Sequence, residues 1–394
     1  MNEGSDNLID LLKKLVSIES VNPSLAPSGK GEEEIATFIG DYLSSIGANV
    51  KMQKVIDARS NVIGVLQGEE DKGKLLIVAH MDTVGVDSMI IPPFEPTIEG
   101  NRLYGRGSAD DKSGVAIALE VLTRLSKKRH FKGELIFAAT VDEEFEAKGI
   151  EKLVADIKAD AAIVMEPVDL KIIIAHKGFL WQEFIVKGRA AHGSDFIGGI
   201  DAIFNASRLI NEIVKLNETL MRKCHPLLGA ASLHASEIHG GEGWSTYPSK
   251  CILKVERRTL PDETEQSIEM EFDAIVRKLE SEGIVIDTEK KFFRPATEIS
   301  RNERIVQALI EAFTDLGITP QVSGMAPWPE AGVLNLSGIP SVVFGPSGCK
   351  GHEAGEFVEI DSVLKCADIL ERAVEMFFAS DRITRRLNVS DRLK

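Results

Sequence analysis

Four short, strongly apolar runs constrain this chain more than anything else in it: Leu75–Ala79, Leu135–Val141, Ala161–Met165 and Ile339–Gly345. Each has the length and branched-residue content of a strand buried on both faces. Amphipathic helical patterns flank and separate the first three, over Leu8–Ile18 (with Asp6 as a cap), Glu32–Ile46 and Ser113–Ser126. Strands Val50–Val55 and Asn61–Leu66 precede the first apolar run. This β/α alternation predicts an α/β fold, a mostly parallel sheet covered by helices. A parallel sheet sends the loops that follow its strands to one edge, which is where open α/β sheets place their chemistry.

What stands at those strand ends is the second constraint. The first run leads into His80-Met81-Asp82, the second into Asp142-Glu143-Glu144, the third into Glu166-Pro167, and the last into a Gly-rich loop carrying His352. Asp110 lies between the first two, within Gly105-Arg106-Gly107-Ser108-Ala109-Asp110-Asp111-Lys112. Any one piece alone is weak, since many strands end in a polar residue. Together they supply two histidines and three carboxylates, a donor set that suits zinc, cobalt or manganese better than calcium. A carboxylate shared by two such ions holds them about 3.5–4 Å apart, able to clamp a water and a carbonyl.

With these motifs in this order, the chain resembles the dinuclear zinc amidohydrolases and exopeptidases, the family of acetylornithine deacetylase, succinyl-diaminopimelate desuccinylase, aminoacylase and glutamate carboxypeptidase. The likeness rests on His80–Val84, Gly105–Lys112, Asp142–Glu144, Met165–Pro167, Gly188-Arg189-Ala190-Ala191-His192 and Gly351-His352, and it spans nearly the whole chain. It implies that His80 and Glu166 hold one divalent ion, Glu144 and His352 the other, and that Asp110 bridges them. It further implies Glu143 as general base and acid, Asp82 as the residue that orients His80, a cis Asp110–Asp111 peptide, and His192 as a donor to the oxyanion in the partner subunit's site. The ions would be Zn2+, with Co2+ or Mn2+ as alternatives. Arg258, in Glu256-Arg257-Arg258-Thr259-Leu260-Pro261, matches the arginine that clamps a substrate carboxylate. Ser245 matches a lid position facing substrate. Two bland readings stay open, a structural loop histidine for His192 and a solvent-facing strand-end arginine for Arg258.

At 394 residues the chain is long for one core, so two domains are expected. The pattern changes near Phe179, where Leu180–Val186 alternates apolar and polar residues. A helix over Asp201–Leu216, strands Ala230–His239 and Lys250–Arg258, a helix over Glu265–Leu279 and a strand Ile284–Phe293 follow, a β-α-β-β-α-β order that matches a ferredoxin-like insert. The expected organisation is a catalytic metal-binding domain from 1–178 and 294–394, with 179–293 as an inserted dimerisation or lid domain. The resemblance implies a homodimer.

Three departures blunt the choice of substrate: Ser245 where the family commonly has Asn, Glu330 where it often has Asp, and Asp111 where the desuccinylase branch tends to have Met. Glu at position 166 leans toward deacylases and carboxypeptidases. The expected reaction is therefore hydrolysis of the amide in a small N-acyl amino acid. A metallocarboxypeptidase or dipeptidase acting on short peptides is the alternative, and a non-catalytic binding or regulatory relative is the reading of another class. The last would be expected to lose the base or several ligands, and none is missing here.

The remaining features bound partners and compartment. A net charge of −15 argues against nucleic acid and anionic membrane as partners. No basic and apolar leader stands at the start, and no apolar run approaches a membrane span. Four scattered cysteines without a Cys-x-x-Cys suit a reducing cytoplasm. The other histidines, His130, His176, His225, His234 and His239, read as surface or packing residues.

Overall fold

The computed structural model describes residues 3–128, 132–349 and 351–379. His130 lies outside them. The chain divides into two units, one made of the residues up to Ile174 with Ile299–Ser323 and those from Pro329 on, the other of Ala175–Glu298 with Gly324–Trp328. The short segment Gly324–Trp328 groups with the second unit, although sequence pattern alone assigned it to the catalytic segment. The reason is local: the Met325 carbonyl accepts the Lys177 N–H at 3.2 Å, and Gly324 approaches Leu228 so closely that a Cβ would meet its side chain at 2.6 Å.

The first unit is built on seven strands of a nine-stranded sheet, in the order Asn49–Ile56, Arg59–Gln67, Glu134–Thr140, Lys74–His80, Ala161–Met165, Ser341–Phe344, Ile172–His176, the division between the units falling after Ile174 in the last of them. The middle four strands run parallel, and the pairings beyond them are antiparallel, so that five of the seven point the same way. Leu75–His80 and all of Ala161–Met165 and Ser341–Phe344 are buried. Burial along every residue means both faces are covered, which is why these strands read as unbroken apolar runs. Helix Lys112–Ser126 packs on the central strands and on helices Glu3–Ser17 and Ile360–Ala379, while Ala331–Leu336 packs on Ser341–Phe344 and on helix Lys148–Asp156. The first helix begins at Glu3, so Asp6 lies in its first turns and does not cap it.

Register decides where the chemistry goes. His80 is paired with Thr140, and Phe344 with Met165. The residues that follow these parallel strands therefore emerge together at one edge. Gly114 makes the close fit of the next helix against this region workable, because a Cβ there would lie 2.5 Å from the Met165 side chain.

The second unit carries a four-stranded antiparallel sheet in the order Ser232–Gly240, Lys250–Thr259, Gly178–Lys187, Val285–Arg294, with helices Ala202–Leu220 and Glu265–Ser281. This is the ferredoxin-like β-α-β-β-α-β arrangement. Leu180, Phe184, Val186, Leu253 and Val255 from the strands meet Ala206, Leu209, Ile268 and Phe272 from the helices in its own core. Asp201 caps the first helix by accepting from the N–H groups of Ile203 and Phe204, and the helix runs to Leu220, one turn beyond the apolar pattern.

Candidate metal centre

Strand ends and two loops bring the metal-ligand residue types together in the first unit. His80, Asp110 and Glu166 form one group whose donor atoms all lie within 4.8 Å of one another; Asp110, Glu144 and His352 form a second, so Asp110 is common to both. His80 is buried, its Nε2 lies 2.9 Å from Asp110 Oδ1, and its Nδ1 lies 2.9 Å from the carbonyl oxygen of Asp82. A carbonyl only accepts, so Nδ1 carries a proton and, in the neutral ring, Nε2 turns a lone pair toward Asp110. A cation between them satisfies both. His352 Nε2 lies 2.7 Å from Glu144 Oε2 and 3.8 Å from Asp110 Oδ2.

The loops that carry these donors are held by residues of the same motifs together with Glu356, which sequence patterning did not single out. The Asp110–Asp111 peptide is cis. Buried Glu356 accepts from the N–H groups of Ala109 and Asp110 at 3.0 and 3.1 Å and pairs with buried Arg106 at 2.6 Å. Asp111 caps helix Lys112–Ser126 through the Gly114 N–H. Lys112 is buried and donates to the Ile18 carbonyl at 2.6 Å; burial pushes its ammonium down to about 7. Gly351 adopts φ +44, and a Cβ there would fall 2.2 Å from Asp110 Oδ2. Cys349, which with His352 invites a Cys-x-x-His reading, instead accepts the Phe357 N–H at 3.3 Å.

Asp82 does more than orient His80. Its carboxylate stands 3.6 Å from His80 Nδ1 and accepts from the Glu143 N–H at 3.1 Å, the Glu144 N–H at 3.2 Å and Asn22 Nδ2 at 2.8 Å. It thus fixes the turn that presents Glu143 and Glu144, as well as standing beside the imidazole.

The donor set is electrostatically incomplete without positive charge. Burial raises Glu143 well above the ordinary carboxylate range, and Glu144, Glu330 and Asp110 add to this against the opposing pull of His80. Burial, with Asp110 and Glu143 beside it, does the same to Glu166. Burial and Asp110 push Glu144 up to about 6. His80 is raised well above its usual value because its hydrogen bonds to Asp110 and Asp82 outweigh its burial. Several carboxylates crowded around one point, sharing the protons that cations would replace, fit a pair of divalent ions. Glu330 is also buried; it accepts from the Thr140 hydroxyl at 2.8 Å, and burial pushes it up to about 8.

A family model for peptidase family M20/M25/M40 matches residues 76–376, about three quarters of the chain. The chain belongs to this family. It is similar to acetylornithine deacetylase of Edwardsiella ictaluri, with 26% identity over 387 residues covering 96% of this chain and 99% of that protein. It is 27% identical to acetylornithine deacetylase of Myxococcus xanthus over 350 residues, 85% of this chain and 90% of that one. In fold it matches a tripeptidase from Staphylococcus aureus, with a TM-score of 0.82 at 22% identity over 95% of this chain and 99% of that one. This M20-family protein is a metal-dependent hydrolase of amide or peptide bonds.

The remaining sequence-derived site residues lie in the second unit. His192 is exposed; its Nδ1 accepts from the Ser194 N–H at 3.2 Å and lies 2.7 Å from the Ser194 hydroxyl. Its strand segment bridges to Thr246, and the carbonyl of exposed Ser245 accepts the Gly193 N–H at 2.7 Å. Arg258 donates from Nε to Glu256 at 2.6 Å and lies 5.3 Å over the Phe179 ring. Of the other described histidines, His176 is buried, His225 is half-buried, and His234 and His239 are exposed.

Proposed function

We propose that this protein removes the acyl group from a small N-acyl amino acid, a reaction of the acetylornithine deacetylase or succinyl-diaminopimelate desuccinylase type. The observation that carries the reading is the pair of ligand groups sharing Asp110, with Glu143 on the same turn as Glu144. His80 and Glu166 would hold one ion, Glu144 and His352 the other, and Asp110 both. Bound Zn2+ ions would supply Lewis acidity and lower the pKa of a water. Glu143 takes the proton of the attacking water and returns it to the leaving amine, a role suited to a carboxylate on the same turn as Glu144. Asp82 keeps Glu143 in place through its backbone N–H and stands beside His80.

His192 serves the developing oxyanion in the partner subunit's site. Because its Nδ1 accepts the Ser194 N–H, its ring proton sits on Nε2, which makes that atom a donor. Arg258 binds the carboxylate of the substrate, with its Nη groups beyond the Glu256 contact, and Ser245 lines the substrate. The second unit is the lid and dimerisation domain. Its edge strand Ser232–Gly240 is exposed over His234–Gly240, and Phe204 and Ile238 are exposed apolar residues on elements that pack together, which supports a homodimer joined there. Four free cysteines support a cytoplasmic site of action, and no helix among the described residues is long and apolar enough to cross a membrane.

The test is amine release from a panel of N-acetyl amino acids, N-succinyl amino acids and free dipeptides, using chelator-stripped protein refilled with zinc or cobalt, with Glu143→Gln alongside. Metal-dependent release from one acyl class, lost in Glu143→Gln, supports the proposal. Release from dipeptides alone replaces deacylation with peptidase action, and binding of fewer than two ions per chain rejects the site.

A further inference from the structure

Behind the candidate centre, Arg59, Glu32, Asp142 and Asn22 form a buried polar chain that leads to Asp82 and has been given no part in the chemistry. Arg59, mostly buried, donates from Nε and Nη2 to the two oxygens of fully buried Glu32 at 2.7 and 2.6 Å. The same Nη2 lies 3.2 Å from Asp142 Oδ1, while Glu32 Oε1 accepts the Asp142 N–H at 3.3 Å. Asp142 is thus gripped by both its side chain and its backbone. The grip also holds its φ of 68°, a left-handed conformation uncommon for residues with a Cβ, though Asp tolerates it better than most. Asn22 continues the chain, its Nδ2 reaching Asp142 at 3.2 Å and Asp82 at 2.8 Å. Asp82 in turn receives the N–H groups of Glu143 and Glu144, and its carbonyl takes the Nδ1 proton of His80.

Glu32 is wholly committed to this network. It sits at the N-cap of helix Glu33–Ser45 but makes no capping bond, and both its carboxylate oxygens go to Arg59, one of them also to the Asp142 N–H. A guanidinium alone among side chains can hold two oxygens of one carboxylate and reach a second carboxylate with the same rigid fork.

We propose that Arg59, acting through Asp142 and Asn22, is the positioning residue that aims Glu143 and Glu144. The inference rests on the proposed roles of those two glutamates. Removing the fork frees Asp142 to relax out of its left-handed conformation, which rotates the next two residues away from Asp82. Sub-ångström loss of aim is enough to slow chemistry without changing what binds.

The test compares zinc-loaded wild type, Arg59→Lys, Arg59→Ala and Glu143→Gln on whichever member of the panel the protein turns over, at a temperature where circular dichroism shows all of them folded. Arg59→Lys and Arg59→Ala should lower kcat by about 10–100-fold and leave KM within about threefold. Added guanidinium should restore Arg59→Ala and do nothing for Glu143→Gln. A folded Arg59→Lys with kcat within about threefold of wild type overturns the proposal. Should Arg59→Ala not fold, Asn22→Ser is held to the same kcat standard. If the wild type cleaves nothing in the panel, or Glu143→Gln matches it, the functional reading fails by itself. Cobalt titration then decides the positioning role: Arg59→Lys weakens the second equivalent about tenfold if the role is real and leaves both equivalents unchanged if it is not.

Discussion

Protonation of one buried histidine should make the second unit acid-sensitive. His176 is 2% exposed, and both ring nitrogens are committed. Nδ1 lies 3.0 Å from the Lys177 carbonyl, which only accepts, so Nδ1 donates; Nε2, 2.7 Å from the Thr297 hydroxyl, must then accept. A second ring proton would have to turn the Thr297 hydroxyl around into an acceptor and would leave a charge in the buried site, and burial pushes the imidazole down to about 4 from an ordinary 6.5. The unfolded chain takes up a proton near pH 6.5 while the folded one refuses it until about pH 4, so stability is full above the higher value and falls as pH drops between the two. The whole difference amounts to about 3 kcal/mol, and about 2 kcal/mol of it is lost between pH 7 and pH 4.5.

The assay reports on the right unit, because the three tryptophans, Trp181, Trp244 and Trp328, all belong to it. Urea unfolding followed by tryptophan fluorescence at the two pH values, for wild type and His176→Gln, isolates the contribution. Wild type should lose about 2 kcal/mol more than the variant on acidification. Parallel losses in the two proteins would refute the reasoning, since a residue that titrates identically folded and unfolded cannot couple to folding.

Three further outcomes follow from the first unit. Glu143→Gln should retain two bound metal ions per chain by elemental analysis while kcat falls about 10²–10⁴-fold; near-wild-type turnover removes Glu143 as the base. Chelator treatment should lower the thermal midpoint of the protein near neutral pH, because the crowded carboxylates of Glu143, Glu144 and Glu166 lose their counter-charge, and excess zinc should restore it, by about 4 kcal/mol at a thousandfold excess over Kd; a midpoint indifferent to metal contradicts this. Gly351→Ala should weaken one of the two ions selectively in a cobalt titration, since its Cβ would meet Asp110 Oδ2 at 2.2 Å and its φ of +44° adds about 1 kcal/mol of backbone strain. Two unchanged binding steps would show that the His352 loop adjusts freely.

Much of this molecule could be read from local pattern. The apolar runs ending at His80, Thr140, Met165 and Phe344 are strands because burial on both faces leaves no room for alternation, and the parallel order that follows brings their ends to one edge. The five ligand-type residues stand at those ends or in adjoining loops, so their identities were legible along with the fold class, and the ferredoxin-like order of the second unit followed from its alternating strands.

What the tertiary structure alone decided is how those side chains are held. Arg59, Glu32, Asn22 and Asp142 are scattered over 120 residues and share no period, so nothing local marks them as one buried network. Glu356 looks like a surface residue in a polar loop, yet it is fully buried against Arg106 and the amides before Asp111. Asp82 reads as a partner for His80 alone and is also the anchor of the Glu143–Glu144 turn. The physical reason is common to all of them. A strand or helix announces itself through the spacing of apolar groups along a few turns of chain, whereas a buried charge is tolerated only where folding brings its partners from elsewhere. The identity of the candidate catalytic groups is therefore written in short segments of the sequence, and their aim is a property of the assembled core.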